Sequence, residues 1–168
     1  QFVYDFKGKK GLIGTKGNVE SAPIYDDIIL IDSSWSTYKQ NDKWNLAFQN
    51  KLLFEFQYDS IIPVSSDVFL LYEEKLGVLY HGGSQQKSAN SHTKGSFFKE
   101  KIIVGHFTDQ SSAIYSAKDL TLLSANIDTI YNIAFNYAVV EFNDQFQLIN
   151  LAEQKLIGEA MGDLDYQF

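Results

Sequence analysis

Large apolar side chains in this chain come in short bursts, each closed by Gly, Asn, Asp or Ser. "LIG" at 12–14, "NLAF" at 45–48, "VFLLYEE" at 68–74 and "AVVEF" at 138–142 are rich in β-branched and aromatic residues. Such runs predict short strands rather than helices. Lys16-Gly17-Asn18 offers the positive φ that a tight hairpin needs. Pro23 and Pro63 are the only prolines and belong at strand ends or edges. Asn150 and Glu153 have the spacing of a helix capping box before "QKLIGEA". The matching position in earlier units is a hairpin turn, so a turn is the reading preferred here. The one break in the rhythm is "HGGSQQKSANSHTKGS" at 81–96, which holds no large apolar side chain. It predicts a mobile polar loop inserted at the surface.

The bursts repeat. "IYDDI" at 24–28 returns as "QYDSI" at 57–61, each preceded by a lysine-led strand and followed by an aromatic-rich one. "KLGVLY" at 75–80 opens a third unit, and Ile127-Asp128-Thr129-Ile130 stands for Tyr-Asp-x-Ile in a worn fourth. A fifth begins at "QFQLINLAEQ". The units run 9–41, 42–74, 75–109, 110–144, and 145–168 together with 1–8, in a single β-repeat domain. A fixed period of about 33–34 residues is the mark of stacked or radial repeats. "FVYDF" at the start matches the last strand of a unit, so the two ends together complete one. That phase favours a compact propeller-like ring over an open array of hairpins, because closure removes exposed sheet edges.

Composition narrows the function. At 168 residues with 45% apolar and 15% aromatic content, the chain has material for a real core. No apolar run reaches the roughly 20 residues of a membrane-spanning helix, and no leader is visible. The net charge is −7 and every one of the 14 basic residues is lysine. Nucleic-acid surfaces are basic and favour arginine, so nucleic acid is set aside as a partner. The absence of cysteine excludes disulfides, thiolate metal sites and a cysteine nucleophile.

On these residues the chain resembles the WG-repeat family of bacterial proteins. That pattern runs Lys-Trp-Gly-Leu-Ile-Asp, Lys-Gly, then Lys-Tyr-Asp-x-Ile. "KKGLIGTKGN" with "IYDDI" keeps the Gly-Leu-Ile and the Lys-Gly turn. "KWNLAF" keeps the Trp with Asn45 in the glycine place, "KLGVLY" keeps the glycine with Leu76 for Trp, and "FQLI" puts Phe146 at the Trp position. The resemblance implies an all-β repeat array, often in envelope or secreted bacterial proteins, with no catalytic motif to transfer. It makes Gly11, Tyr25, Trp44, Tyr58, Gly77 and Phe146 structural: rings fill the gap between units and glycines admit a neighbouring backbone.

Candidate chemistry is sparse. His81 and His92 could form a metal pair completed by Asp109 or Asp67, but a loop is a poor scaffold for rigid coordination. "HGG" at 81–83 comes with no Gly-x-Ser-x-Gly elbow. Asp26-Asp27 and Glu73-Glu74 are adjacent on strands and point to opposite faces. Asp163 and Asp165 read as a solvated acidic end. Gly11, Gly14 and Gly17 are followed by no helix that would cradle a phosphate. Trp35 in "DSSWSTY" is a candidate platform for a sugar ring or a partner side chain, although burial between units is the preferred reading, with His81 and His92 as further candidate contacts. No catalytic residue, cofactor or metal is assigned. The sequence points to a non-catalytic interaction or scaffolding module of the bacterial envelope or exterior, with another protein as partner. A glycan-binding module is the alternative, and a hydrolase with a His/Asp site comes third.

Overall fold

A computed structural model describes residues 1–98, 102–132, 137–153 and 155–161. It is all-β over those residues, in five antiparallel sheets laid out in chain order. The first has three strands: β1 (Phe2–Phe6), β2 (Lys9–Ile13) and β3 (Val19–Tyr25). The second runs β4 (Asp27–Leu30), β5 (Trp35–Gln40), β6 (Lys43–Phe48), β7 (Lys51–Leu52). The third is β8 (Ser60–Pro63), β9 (Val68–Glu73), β10 (Leu76–His81), β11 (Gln86–His92). The fourth is β12 (Lys94–Phe98), β13 (Ile102–His106), β14 (Ser112–Ser116), β15 (Leu122–Ile127). The fifth is β16 (Thr129–Asn132), β17 (Tyr137–Phe142), β18 (Gln145–Asn150), β19 (Lys155–Met161). Among the described residues no helix is long and apolar enough to cross a membrane.

Sequence units and sheets are out of phase. Residues 9–41 supply the last two strands of the first sheet and the first two of the second. The Tyr-Asp-x-Ile motif marks the crossing point, and its aspartate is the link. Asp26 donates its amide to the Lys39 carbonyl at 2.8 Å, and its Oδ2 accepts the Asn41 amide at 2.7 Å. Asp59 does the same with Tyr72 and Glu74, and Asp128 with Glu141 and Asn143. Asn41 and Asn143 open two-residue hairpins at φ 51° and 49°, followed by Asp42 and Asp144 at 62° and 57°. These are the left-handed pairs of a type I′ turn, which Asn and Asp tolerate. A lysine completes the first two links: Lys9 Nζ reaches Asp26 and Lys43 Nζ reaches Asp59, both at 2.5 Å. Those lysines, and next the Asn41 and Glu74 amides, hold both carboxyls below their ordinary range.

The chain divides into two compact units, Gln1–Pro63 with Leu71–Lys75 and Val64–Leu70 with Leu76–Phe168. In the first, Leu12, Ile28, Tyr38 and Ala47 form a buried cluster with Tyr25, Leu30 and Phe56 against it. In the second, Ile102, Val104, Ile114 and Ile127 of the fourth sheet bury against Ala138, Val140 and Ile149 of the fifth. Both clusters draw on alternate residues of adjacent sheets, as the period of a strand requires.

One expectation is corrected and one is met. Residues 81–96 are not a loop: they end β10, turn through 82–85, form β11 and open β12. Polar residues make a strand here because inward Ser88 is small and satisfied and inward His92 bonds the Tyr115 hydroxyl through Nε2. Ser88 accepts the Leu79 amide at 3.1 Å and donates to the Asn90 carbonyl at 2.8 Å. The turn is preferred correctly over the helix at 150–153: Asn150 Oδ1 accepts the Ala152 and Glu153 amides, and β19 follows. Asp163 and Asp165 lie outside the described residues.

Asn45 shows how the second sheet manages without the usual glycine. Gly11, its counterpart, sits where an added Cβ would lie 2.6 Å from the Ser21 carbonyl oxygen and the Tyr4 ring. Asn45 is fully buried and spends its side chain instead: Nδ2 donates to the Phe54 carbonyl, and Oδ1 accepts the Phe54 amide at 3.1 Å. The amide group thus prolongs the ladder past the two-residue β7. Asn45→Ala is expected to strand both Phe54 backbone groups and to cost about 2–3 kcal/mol. Chemical denaturation monitored by circular dichroism checks this; a loss below about 0.5 kcal/mol would refute the ladder role.

Candidate functional site: the Trp44 cleft

Trp44 is the second residue of β6, and its backbone is lashed to the segment before β8. Its amide donates to the Tyr58 carbonyl at 2.7 Å, and the Tyr58 amide returns a bond of 3.3 Å. That bridge carries Ser60 and Ile61 up beside the indole. From the other side, β4 and β5 present Ile29 and Thr37, which are register partners. The five side chains line an open cleft of about 230 Å³. Ile29 is half exposed at its edge. The Lys39 ammonium stands 6.0 Å from the indole centroid and also pairs with Asp42 at 3.0 Å. None of the five lining residues is an acid or a base. It offers an apolar, π-rich wall and two hydroxyls.

The sequence offered Trp35 as a platform and gave Trp44 to packing. The structure bears out the preferred reading of Trp35, burial, and leaves Trp44 half buried beside the cleft. Trp35 starts β5 rather than lying in the gap before it, is only 4% exposed, and packs against Phe48 with ring centroids 4.8 Å apart. The Asp32 carboxylate accepts its backbone amide at 2.8 Å. Trp44 is half buried with a face on the cleft. A signal for this was in the repeats: its position holds Lys10 in the preceding unit and Leu76 in the next. A place that takes lysine as readily as tryptophan is not a core place.

The remaining singled-out residues scatter. Tyr25 meets Tyr38 edge-on at 4.7 Å, and Tyr58 is buried with Phe54 edge-on at 5.5 Å. Gly77 is buried in β10 opposite His92, and Phe146 is half buried, 6.2 Å from the Tyr131 ring. His81 is buried, its Nδ1 engaged by the Ser84 amide and hydroxyl at 3.0 and 3.1 Å. Among the described residues no three His, Asp or Glu side chains converge as a metal site.

Comparison with known proteins bears on the repeat. Residues 11–44 match the family described as WG containing repeat. The chain carries a WG repeat. No curated protein matches the sequence. Among solved structures, Hsv2 from Kluyveromyces lactis is similar at 7% identity and TM-score 0.40, over 93% of this chain and 58% of that one. BamB from Moraxella catarrhalis follows at 11% identity and TM-score 0.38, over 90% of this chain and 57% of that one. The C-terminal WD40 domain of Sif2 gives 13% identity and TM-score 0.34, over 90% and 52%. The chain therefore spans between half and three fifths of these structures.

The WG-repeat register also locates His92. Tyr25, His92 and Ile127 each end the last strand before a link, and Tyr58 stands at the matching place in an isolated bridge to Trp44, at intervals of 33, 34 and 35 residues. Thr93 takes the link place, donating its amide to the His106 carbonyl at 2.8 Å. His92 is fully buried, with Nε2 3.0 Å from the Tyr115 hydroxyl and the Phe107 ring at 5.0 Å. Its Nδ1 has no hydrogen-bond partner among the described residues. Gly105 is required beside it, since a Cβ there would lie 2.6 Å from the imidazole. His106 bonds Ser112 Oγ at 2.9 Å and Ser96 Oγ at 3.3 Å. Burial, and next the charge of His106, lower the pKa of His92 to about 4. His106 is lowered as well, by burial and by Lys94.

The unfolded chain therefore takes up protons that folded His92 refuses between pH 6.5 and about 4. Stability from neutral His92 is complete above pH 6.5 and is lost as pH falls through 4, to a total of about 3 kcal/mol. His92→Tyr, restoring the residue found in the first two units, is expected to flatten that acid limb. Urea unfolding at a series of pH values checks it, and an unchanged limb would refute the assignment.

Proposed function

We propose that this chain is a non-catalytic protein-interaction module whose Trp44 cleft receives an apolar side chain of a partner protein. One observation carries the reading: the cleft joins an indole and two isoleucines to two hydroxyls, with no titratable group among them. Trp in a partly desolvated pocket is the residue type that dominates interface energetics. The WG repeat supports a scaffold that presents such a pocket from a rigid sheet. On the resemblance in sequence, we place the module as an accessory subunit of a bacterial envelope or secreted assembly. The acidic surface favours a partner with a basic rim.

The same wall suits a second reading. An indole face beside the hydroxyls of Thr37 and Ser60 is able to stack a sugar ring and bond its hydroxyls. Trp35, buried away from the cleft, serves as a constant reference in fluorescence.

Capture of partners from the native envelope should depend on the indole. Trp44→Ala is expected to weaken capture at least tenfold and Trp44→Phe by less, with Leu76→Ser unchanged. Equal capture by Trp44→Ala would end the cleft reading. A Trp44 fluorescence change with oligosaccharides, absent with protein partners, would transfer the site to glycans.

A further inference from the structure

The Trp44 cleft has mostly apolar walls, yet its deepest hydroxyl is unanswered. Thr37 sits in the cross-strand row Ile29, Thr37, Leu46 of β4, β5 and β6. Exposure falls along that row from 49% to 4% to 0%, so Ile29 marks the mouth and Thr37 lies near the floor. Among the described residues the Thr37 hydroxyl has no hydrogen-bond partner, and it is not one of the polar atoms sealed from solvent. Its small remaining exposure is therefore to the cleft that it lines. The Ser60 hydroxyl across the cleft is unpartnered among the described residues in the same way. A purely apolar occupant would drive water from the Thr37 hydroxyl and leave it bare, and an unanswered buried polar group costs about 1–3 kcal/mol.

Charge narrows the occupant further. The next row on the same face is Asp27, Lys39, Trp44. The Lys39 ammonium stands 6.0 Å from the indole centroid and pairs with Asp42 at 3.0 Å. A cationic occupant meets Lys39, and a carboxylate meets Asp27 and Asp42. The cleft suits a neutral side chain.

We propose that the cleft is a receptor for a tyrosine side chain of the partner protein, with its ring against the Trp44 indole and its hydroxyl at Thr37. Leucine, isoleucine and phenylalanine have no polar tip, and serine and asparagine have no apolar body. Tryptophan carries its N–H on the flank of the ring system and only donates. Tyrosine joins a flat apolar body to a hydroxyl at its far end, which both donates and accepts. With an ordinary pKa of about 10 it stays uncharged at neutral pH. Its hydroxyl replaces the water on Thr37 at the floor, while the ring lies between the indole and the isoleucines of the walls.

This deepens the protein-interaction reading and rests on it, by naming what the cleft selects. The test titrates the whole chain with two capped pentapeptides, Gly-Gly-Tyr-Gly-Gly and Gly-Gly-Phe-Gly-Gly, and follows the Trp44 indole N–H by nuclear magnetic resonance. The parent chain is expected to hold the tyrosine peptide about tenfold more tightly, the difference that an answered hydroxyl makes. Thr37→Val keeps the β-branched shape and is expected to bring the two peptides within about twofold of each other. Thr37→Ser, which keeps the hydroxyl, is expected to keep the preference. Equal binding of the two peptides by the parent, binding of neither at millimolar concentration, or a preference that survives Thr37→Val would each overturn the proposal. Equal binding that disappears in Trp44→Ala would overturn it and leave the cleft reading standing. A tyrosine preference untouched by Trp44→Ala would overturn both. Oligosaccharide binding in place of either peptide would overturn it in favour of a sugar at the same hydroxyls.

Discussion

The structure depends on one polar device: a linking aspartate that closes a hairpin belonging to the next sheet. A β-sheet buries its faces readily but has no intrinsic way to fix its angle to a neighbour. Asp26, Asp59 and Asp128 supply that constraint with two bonds each, one from the backbone amide and one to the carboxylate. The carboxylate accepts a hairpin amide that has no partner in the ladder. Charge-assisted bonds of this kind are about twice as strong as neutral ones. The apolar clusters then form where the links have brought two sheets together.

The links explain why worn repeats still fold. The aromatic at the end of the preceding strand changes from Tyr to His to Ile, and the glycine of the following unit changes to Asn. Each change is met locally. Asn45 replaces close backbone approach with two bonds to Phe54, and His92 replaces a tyrosine by bonding one. Thr93, lacking a carboxylate, keeps the backbone half of the link and turns its hydroxyl to the His106 carbonyl at 3.1 Å. The repeat therefore tolerates loss of its signature so long as the main-chain half of the link survives.

Much of this was visible in the residues. Strand type and period came from short aromatic and β-branched runs, and Tyr-Asp-x-Ile marked the repeat correctly. What the motif does was not visible, because a strand-bounding aspartate looks the same whether it caps a distant hairpin or faces water. The 81–96 segment misled because strand signals rest on apolar alternation, and the buried places of β11 are held by the polar residues Ser88 and His92. Counting 34 residues on from Tyr58 would have found His92 at the repeat position. The candidacy of Trp35 as a platform has a similar source. Local polarity around Trp35 suggested exposure, whereas burial there is set by Phe48 across the ladder.

The brevity of the links has a consequence for how such a chain can change length. Asp26, Thr93 and Asp128 are single residues between strands of successive sheets. Side chains alternate faces along a strand, so one added residue at a link would turn every following inward side chain outward. The hairpins carry no such phase: the turns at 82–85 and 107–111 stand where two-residue turns stand in other sheets, and the strands on both sides still pair. Insertions and deletions in relatives of this chain should therefore gather at hairpin tips and spare the links, leaving the joints between sheets as the fixed points of its evolution.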